Sequence, residues 1–199
     1  MLTERQAYRW MPWAWSAAWM LTGVGVSISD LYSYPAQSLI PYFALSAVGW
    51  SAAGIVTASA SRREPGMAVR LVGWAVAYLA AIPLGLVWLL SWNVAYLGPI
   101  VAIGVAGAIG GVAGSLRSGA WRLVSGVLLG LAFLLFATVS FSASYILLVL
   151  YAPIAQLLGN AGADLLAWGL PSALCGLAAG FAARRILGIT AVDPTSVST

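Results

Sequence analysis

Long apolar segments, separated by sparse charged residues, dominate the chain and predict membrane-spanning helices. The uncharged runs cover residues 10–29, 31–61, 71–116, 123–163 and 165–183. A helix needs about 20 apolar residues to cross the hydrocarbon core of a bilayer, so the run from 71 to 116 predicts two helices around a polar and Gly-Pro break. The predicted fold is an all-α integral membrane protein, a bundle of six transmembrane helices. The spans are predicted near residues 10–29, 38–59, 68–91, 98–116, 121–146 and 165–184.

The basic residues test this assignment, because the cytoplasmic loops of membrane proteins collect Arg and Lys. All nine are Arg, and the six-span topology places every one on the same side of the membrane. We therefore expect both termini in the cytoplasm and the chain in the plasma or inner membrane. Residues 1–190 are predicted to form one transmembrane domain, 147–160 to be a short helix or re-entrant piece at the outer interface, and 191–199 to be a polar tail. The arginines are Arg5, Arg9, Arg62, Arg63, Arg70, Arg117, Arg122, Arg184 and Arg185.

A threefold repeat of helical hairpins is one interpretation of the helix ends. Three helices that leave the cytoplasmic side begin near Arg9, Arg70 and Arg122, and the three returning helices end with small residues followed by Arg. Membrane topology alone also produces Arg at each cytoplasmic edge, so both interpretations stay open.

Small residues recur four positions apart in several predicted spans, most densely in the fourth. Lipid offers no hydrophobic drive for helix association, so helices associate where small side chains let their backbones approach. These ridges predict close packing inside the bundle or, alternatively, contact with a partner chain or a flat apolar cofactor. They consist of Ala102, Ala106, Gly107, Gly110, Gly111, Gly114, Gly126, Gly130, Gly176 and Gly180.

Composition excludes a soluble domain and removes several chemistries. The 199 residues are 62% hydrophobic and 7% charged, against about 25% charged residues in soluble domains. The absence of His and Lys removes retinal Schiff bases, His-ligated haem and His/Cys metal sites. No cofactor is predicted within the chain, although an apolar ligand such as a lipid, pigment or quinone could bind. Trp15, Trp19 and Trp50 lie deeper than interfacial Trp residues need, so they fill the bundle, contact another protein or stack on a pigment or quinone. The net charge of +4 follows from the topology, so no nucleic-acid partner is predicted.

Ionisable residues inside membranes mark ion pathways and proton relays, but the predicted midplanes hold none. Polar residues lie instead in the outer connections, where they form a candidate cluster. Ser and Thr nucleophiles would lack a His or Lys base, so the chain is not predicted to be an enzyme. The candidate outer cluster consists of Asp30, Gln37, Asn93, Gln156, Asn160 and Asp164.

Two functions remain from this elimination. The first is a non-catalytic subunit that packs against other membrane proteins in a larger complex, with a photosynthetic or respiratory assembly as one candidate home. The second is a small transporter or substrate-binding component for a neutral or lipophilic solute. The small-residue ridges and the deep Trp residues favour the first, whereas the outer polar cluster favours the second.

Overall fold

The described structure, a computed structural model, covers residues 3–28, 40–60, 97–116 and 118–189. Every regular element within these ranges is a helix, which confirms the all-helical class predicted from the sequence. The predicted span at 68–91 and the predicted tail at 191–199 lie outside the described residues. Helix α1 spans Glu4–Ile28, α2 Ile40–Ser59, α3 Leu97–Gly114, α4 Ala120–Leu148, α5 Tyr151–Asp164 and α6 Leu170–Leu187, and a π-helical turn, Leu165–Gly169, joins α5 to α6.

Helix α1 begins earlier than the predicted span because a capping box satisfies its first backbone N–H groups. The Gln6 N–H donates to Thr3 Oγ1 over 3.2 Å, and the Thr3 N–H donates to Gln6 Oε1 over 3.0 Å. This reciprocal pair is the signature of a helix start. Glu4 in the first turn adds a negative charge where the helix dipole is positive. Residues 3–9 are mostly polar, so the apolar pattern alone did not include them.

The segment predicted as a short outer helix is observed as α5, and it runs directly into α6. Gly159 interrupts α5 with φ 74° and ψ 169°, a backbone conformation that favours glycine. Beyond this break the chain stays helical through the π-helical turn. Helix α5 after Gly159, the π-helical turn and α6 are therefore consecutive helical segments.

By length and composition, two helical runs among the described residues could cross a membrane. They are Ala120–Leu148, which is α4, and Tyr151–Leu187, which contains α5, the π-helical turn and α6. Ala44–Ser59 and Ile100–Gly114 are shorter apolar helices.

Helix α1 lies between two other helices of the described bundle. It packs against α2 on one side and α6 on the other, and α4 packs against both α6 and α3. The buried core residues of these five helices form one continuous cluster. One face of α1, which carries Trp15, Ala18 and Trp19, is therefore buried between these helices, whereas Trp13 and Ala17 are exposed.

Candidate functional site

The small-residue ridges of α3 and α4 lie inside the described bundle, where they bring the two backbones together. A Cβ atom added at Gly111 would lie 2.8 Å from the Gly126 Cα, and one added at Gly130 would lie 2.8 Å from the Ala108 Cβ. Real Cβ atoms do not approach so closely, so larger side chains would separate the helices. These contacts lie within the chain. Also buried are Ala102, Ala106, Gly107, Gly110 and Gly114.

Two glycines of α6 allow the same close approach to α1. A Cβ atom added at Gly176 would lie 2.6 Å from the Trp15 carbonyl oxygen, and one added at Gly180 would lie 2.6 Å from the Pro12 Cα. The α6 backbone thus lies directly on α1. Because α6 also packs against α4, the large aromatic side chains of α1 lie next to α4.

Phe133 of α4 is the centre of an aromatic cluster with Trp15, Trp19 and Trp50, and all four side chains are buried. The Phe133 ring centroid lies 5.2, 5.7 and 5.8 Å from these three Trp rings, at interplanar angles of 72°, 83° and 77°. Such edge-to-face geometry is favourable for aromatic pairs. Gly107 of α3 leaves the space for Phe133, since a Cβ atom there would lie 2.8 Å from the Phe133 ring. The deep Trp rings therefore pack on one another and on Phe133.

Two reciprocal hydrogen bonds connect α1 to α2 beside this aromatic cluster. The Trp15 Nε1–H donates to Thr57 Oγ1 over 3.2 Å, and the Trp50 Nε1–H donates to Thr22 Oγ1 over 3.1 Å. Each Thr hydroxyl in turn donates to the carbonyl oxygen four residues earlier in its own helix. This pairing was not predicted, although the same Trp-to-Thr spacing in both helices is a signal that could have indicated it.

A small cavity lies next to the aromatic cluster, between α1, α4 and α6. The volume within it that the centre of a water molecule can occupy is about 10 Å³. Hydroxyl side chains from all three helices line it, and the Ser140 and Ser172 hydroxyls are hydrogen-bonded to each other at 3.0 Å. We call this space the hydroxyl cavity. It is lined by Trp19, Thr22, Gly23, Val26, Ile103, Ala137, Ser140, Phe141, Ser144, Trp168 and Ser172.

Two residues that line the hydroxyl cavity each carry a polar atom that has no hydrogen-bond partner. Trp19 Nε1 and Ser144 Oγ are buried and unbonded, and their residues are 2% and 1% exposed. A buried donor or acceptor left without a partner costs about 1–3 kcal/mol. A third such atom among the described residues, Ser46 Oγ on α2, does not line the cavity. The hydroxyl cavity therefore presents two polar groups that can bind a guest.

The π-helical turn shapes one wall of the hydroxyl cavity. Pro171 has no N–H group to continue an α-helical ladder, and the Leu170 N–H donates instead to the carbonyl of Leu165, five residues earlier. Trp168, within this wide turn, lines the cavity. Gly23 of α1 contacts the Trp168 carbonyl so closely that no Cβ atom would fit. Turns of this kind are frequent at functional sites.

The predicted outer polar cluster is described only in part. Gln156 and Asn160 are exposed on α5, and Asp164 at its end is half-buried. The Tyr151 hydroxyl donates to the Asn160 carbonyl oxygen over 3.4 Å. These residues lie on a surface and do not line the hydroxyl cavity. Outside the described residues lie Asp30, Gln37 and Asn93.

At the other end of the bundle, Arg184 of α6 binds the first turns of α1. Its Nη1–H donates to the Tyr8 carbonyl oxygen over 3.0 Å, and its guanidinium lies 4.3 Å from the centre of the Tyr8 ring. Pro12 lacks the N–H that would otherwise pair with this carbonyl in α1. The Leu116 N–H donates to the Leu187 carbonyl over 3.0 Å. The start of α1, the end of α3 and the end of α6 therefore meet here.

The described residues supply hydrogen-bonding groups but no cluster of metal ligands. No group of three or more His, Cys, Asp or Glu side chains occurs among them. Cys175 on α6 is a half-buried free thiol. The lining of the hydroxyl cavity contains no charged side chain. This arrangement can bind a small polar guest through hydroxyl and indole groups.

Comparison of the chain with models of known protein families, with curated proteins and with solved structures found no match.

Proposed function

We propose that the chain is a multi-pass membrane protein that serves as a non-catalytic subunit of a larger membrane complex. The fold in this proposal is the six-helix bundle predicted from the sequence, with the Arg-rich end and both termini in the cytoplasm. The outward surface of α4 supports embedding in lipid, because Leu123, Val127, Leu131 and Leu135 repeat every four residues and all are exposed. A contiguous apolar surface of this kind is rare on soluble proteins.

The distribution of Arg residues at one end of the described bundle supports the orientation. The Arg184 contact with Tyr8 holds the end of α6 against the start of α1. The Ser125 hydroxyl, near the start of α4, donates to the Ile186 carbonyl over 3.2 Å and brings Arg122 to the same end. An end that collects Arg is the one expected in the cytoplasm.

The observation that carries the subunit role is the exposed surface of α5. Within this helix only Ala163 is buried. Leu157 is 83% exposed and Leu158 is 59% exposed, and they lie between the exposed Gln156 and Asn160. A mixed surface with apolar anchors and a polar rim is typical of protein–protein contacts. A partner subunit packed on α5 would bury these leucines and satisfy the amides around them.

The absence of a catalytic role in this proposal rests on side-chain chemistry. The sequence supplies no His or Lys base to activate its Ser and Thr hydroxyls. A photosynthetic or respiratory assembly is one complex to which such a subunit could belong. Any lipid, pigment or quinone there would be held by packing, by a backbone carbonyl or by Asn and Gln.

The subunit role is tested by extracting the native membrane with a mild detergent, followed by native electrophoresis and mass spectrometry. We expect the chain to migrate with partner proteins in fixed stoichiometry. Replacing Leu157 and Leu158 together by Ala should release it from them. The matched double variant of Leu131 and Leu135 to Ala should stay in the complex, because those residues face lipid. Migration as a lone monomer or homo-oligomer would contradict the subunit role.

The second candidate function, a small transporter or binding component for a neutral solute, is favoured by the hydroxyl cavity, whose size restricts the solute to about one non-hydrogen atom. Solute sites of transporters lie between helices inside the bundle, as this cavity does. Replacing Ser140 and Ser172 together by Ala should then reduce uptake of the solute into proteoliposomes. If the subunit role is correct instead, the same variant should leave the native complex intact, because no residue of α5 lines the cavity.

A further inference from the structure

We infer that the hydroxyl cavity is a binding site for one neutral molecule of water's size, which accepts a hydrogen bond from Trp19 Nε1–H. This site goes beyond the subunit role, since it belongs to the interior of the bundle and needs no partner protein. It rests on two independent observations. One is the space between α1, α4 and α6, and the other is the pair of unpartnered, buried polar atoms on its wall.

The size of the hydroxyl cavity limits the guest to about one non-hydrogen atom. The 10 Å³ open to the centre of a water molecule is close to the roughly 10–15 Å³ that a single bound water needs. A quinone, a pigment or a lipid chain is far larger. The space fits a single water molecule.

The absence of charge on the lining favours a neutral guest. None of the residues around the hydroxyl cavity is ionisable at neutral pH. An ion placed there would lose its hydration without gaining an opposite charge, which is costly in an apolar interior. A neutral molecule avoids this penalty.

The hydrogen-bonding groups define what the guest must offer. The Trp19 indole can only donate, so the guest must carry a lone pair. Ser144 Oγ can donate or accept, and it has no partner of its own. Ser140 and Ser172 share one hydroxyl proton between them, which leaves the second hydroxyl proton free to point at the guest. Thr22 is occupied by Trp50 and by the Ala18 carbonyl. Water, with two lone pairs and two protons, satisfies these requirements.

The site is tested by nuclear magnetic resonance of protein labelled with ¹⁵N at the Trp indoles and reconstituted in lipid nanodiscs. Trp19→Phe and Trp15→Phe identify the two indole signals. We expect a cross-relaxation peak between the Trp19 indole proton and water, with the sign given by a water that stays bound for longer than a nanosecond. The Trp15 indole, which is bonded to Thr57, is the internal control and should show no such peak. Absence of the water peak at Trp19, or a water peak of equal intensity at Trp15, would overturn the proposal.

A matched pair of variants on α4 tests the position of the guest. Ser144→Val removes the hydroxyl and fills the hydroxyl cavity, so the water peak of Trp19 should disappear. Ser142→Val makes the same change at an exposed position and should leave the peak unchanged. If Ser144→Val does not fold, Ser144→Ala replaces it and should weaken the peak. A peak that persists unchanged in the Ser144 variant, or a Trp19 signal that shifts on titration with chloride or bromide, would contradict a neutral guest at this site.

Discussion

At the scale of single residues, Phe133 is the side chain on which the described core depends. It contacts three Trp rings from two helices, and the glycine on α3 leaves room for it. The sequence indicated that Trp15, Trp19 and Trp50 lie deep, but it left open whether they fill the core, contact another protein or stack on a ring ligand. Apolar periodicity could not decide this, because α4 is apolar on all sides and its buried face does not stand out.

Phe133→Ala should lower the free energy of unfolding by about 3–5 kcal/mol, since it deletes the central ring of the cluster and leaves a cavity. Leu131→Ala, two residues away on the exposed face of the same helix, should change it by less than about 1 kcal/mol. Thermal unfolding in detergent, followed by circular dichroism, measures both. Equal losses of stability for the two variants would contradict the central position of Phe133.

At the scale of helices, the spacing of charges predicted the approximate positions of α1, α2, α3, α4 and α6. Helix α1 begins earlier because of the Thr3–Gln6 capping box, and α6, which has Pro171 in its first turn, is preceded by a π-helical turn. Neither effect is visible in hydropathy, since both arise from backbone hydrogen bonding. The role of Arg184 was also not predicted, because it depends on the Tyr8 carbonyl, which Pro12 leaves without its helical N–H partner in a helix far away in the sequence.

Arg184 and Pro12 should be energetically coupled. Arg184→Met leaves the Tyr8 carbonyl without its donor and should cost about 1–2 kcal/mol of unfolding free energy. In a Pro12→Ala background the backbone N–H restored at position 12 can bond to this carbonyl, so the same substitution should cost about 1 kcal/mol less. A double-mutant cycle of unfolding free energies measures this coupling.

Arg185→Met provides the control, because Arg185 is exposed beside Arg184. This substitution should change the unfolding free energy little in either background. A cost of Arg184→Met that is the same with and without Pro12 would contradict the proposed pairing with the freed carbonyl.

At the scale of the whole molecule, the ends of the bundle differ. One end collects the start of α1, the end of α3 and the end of α6, together with Arg122, Arg184 and Arg185. The opposite end carries α5 with its exposed leucines and amides. The sequence placed all nine Arg residues on one side of a membrane, because the positive-inside rule depends on charge and not on packing, and that membrane orientation stays a prediction. The hydroxyl cavity could not be predicted, since its groups come from three helices and meet only in the folded chain.

The proposed membrane orientation is tested most directly by cysteine labelling of intact cells in a Cys175→Ser background. Ser118→Cys lies at the Arg-rich end, between α3 and α4, and Asn160→Cys lies on α5 at the other end, and both positions are exposed. A membrane-impermeant maleimide should label Asn160→Cys from outside and should label Ser118→Cys only after the cells are opened. Labelling of Ser118→Cys from outside, or of Asn160→Cys only in opened cells, would contradict a bundle that spans the membrane with its Arg-rich end in the cytoplasm.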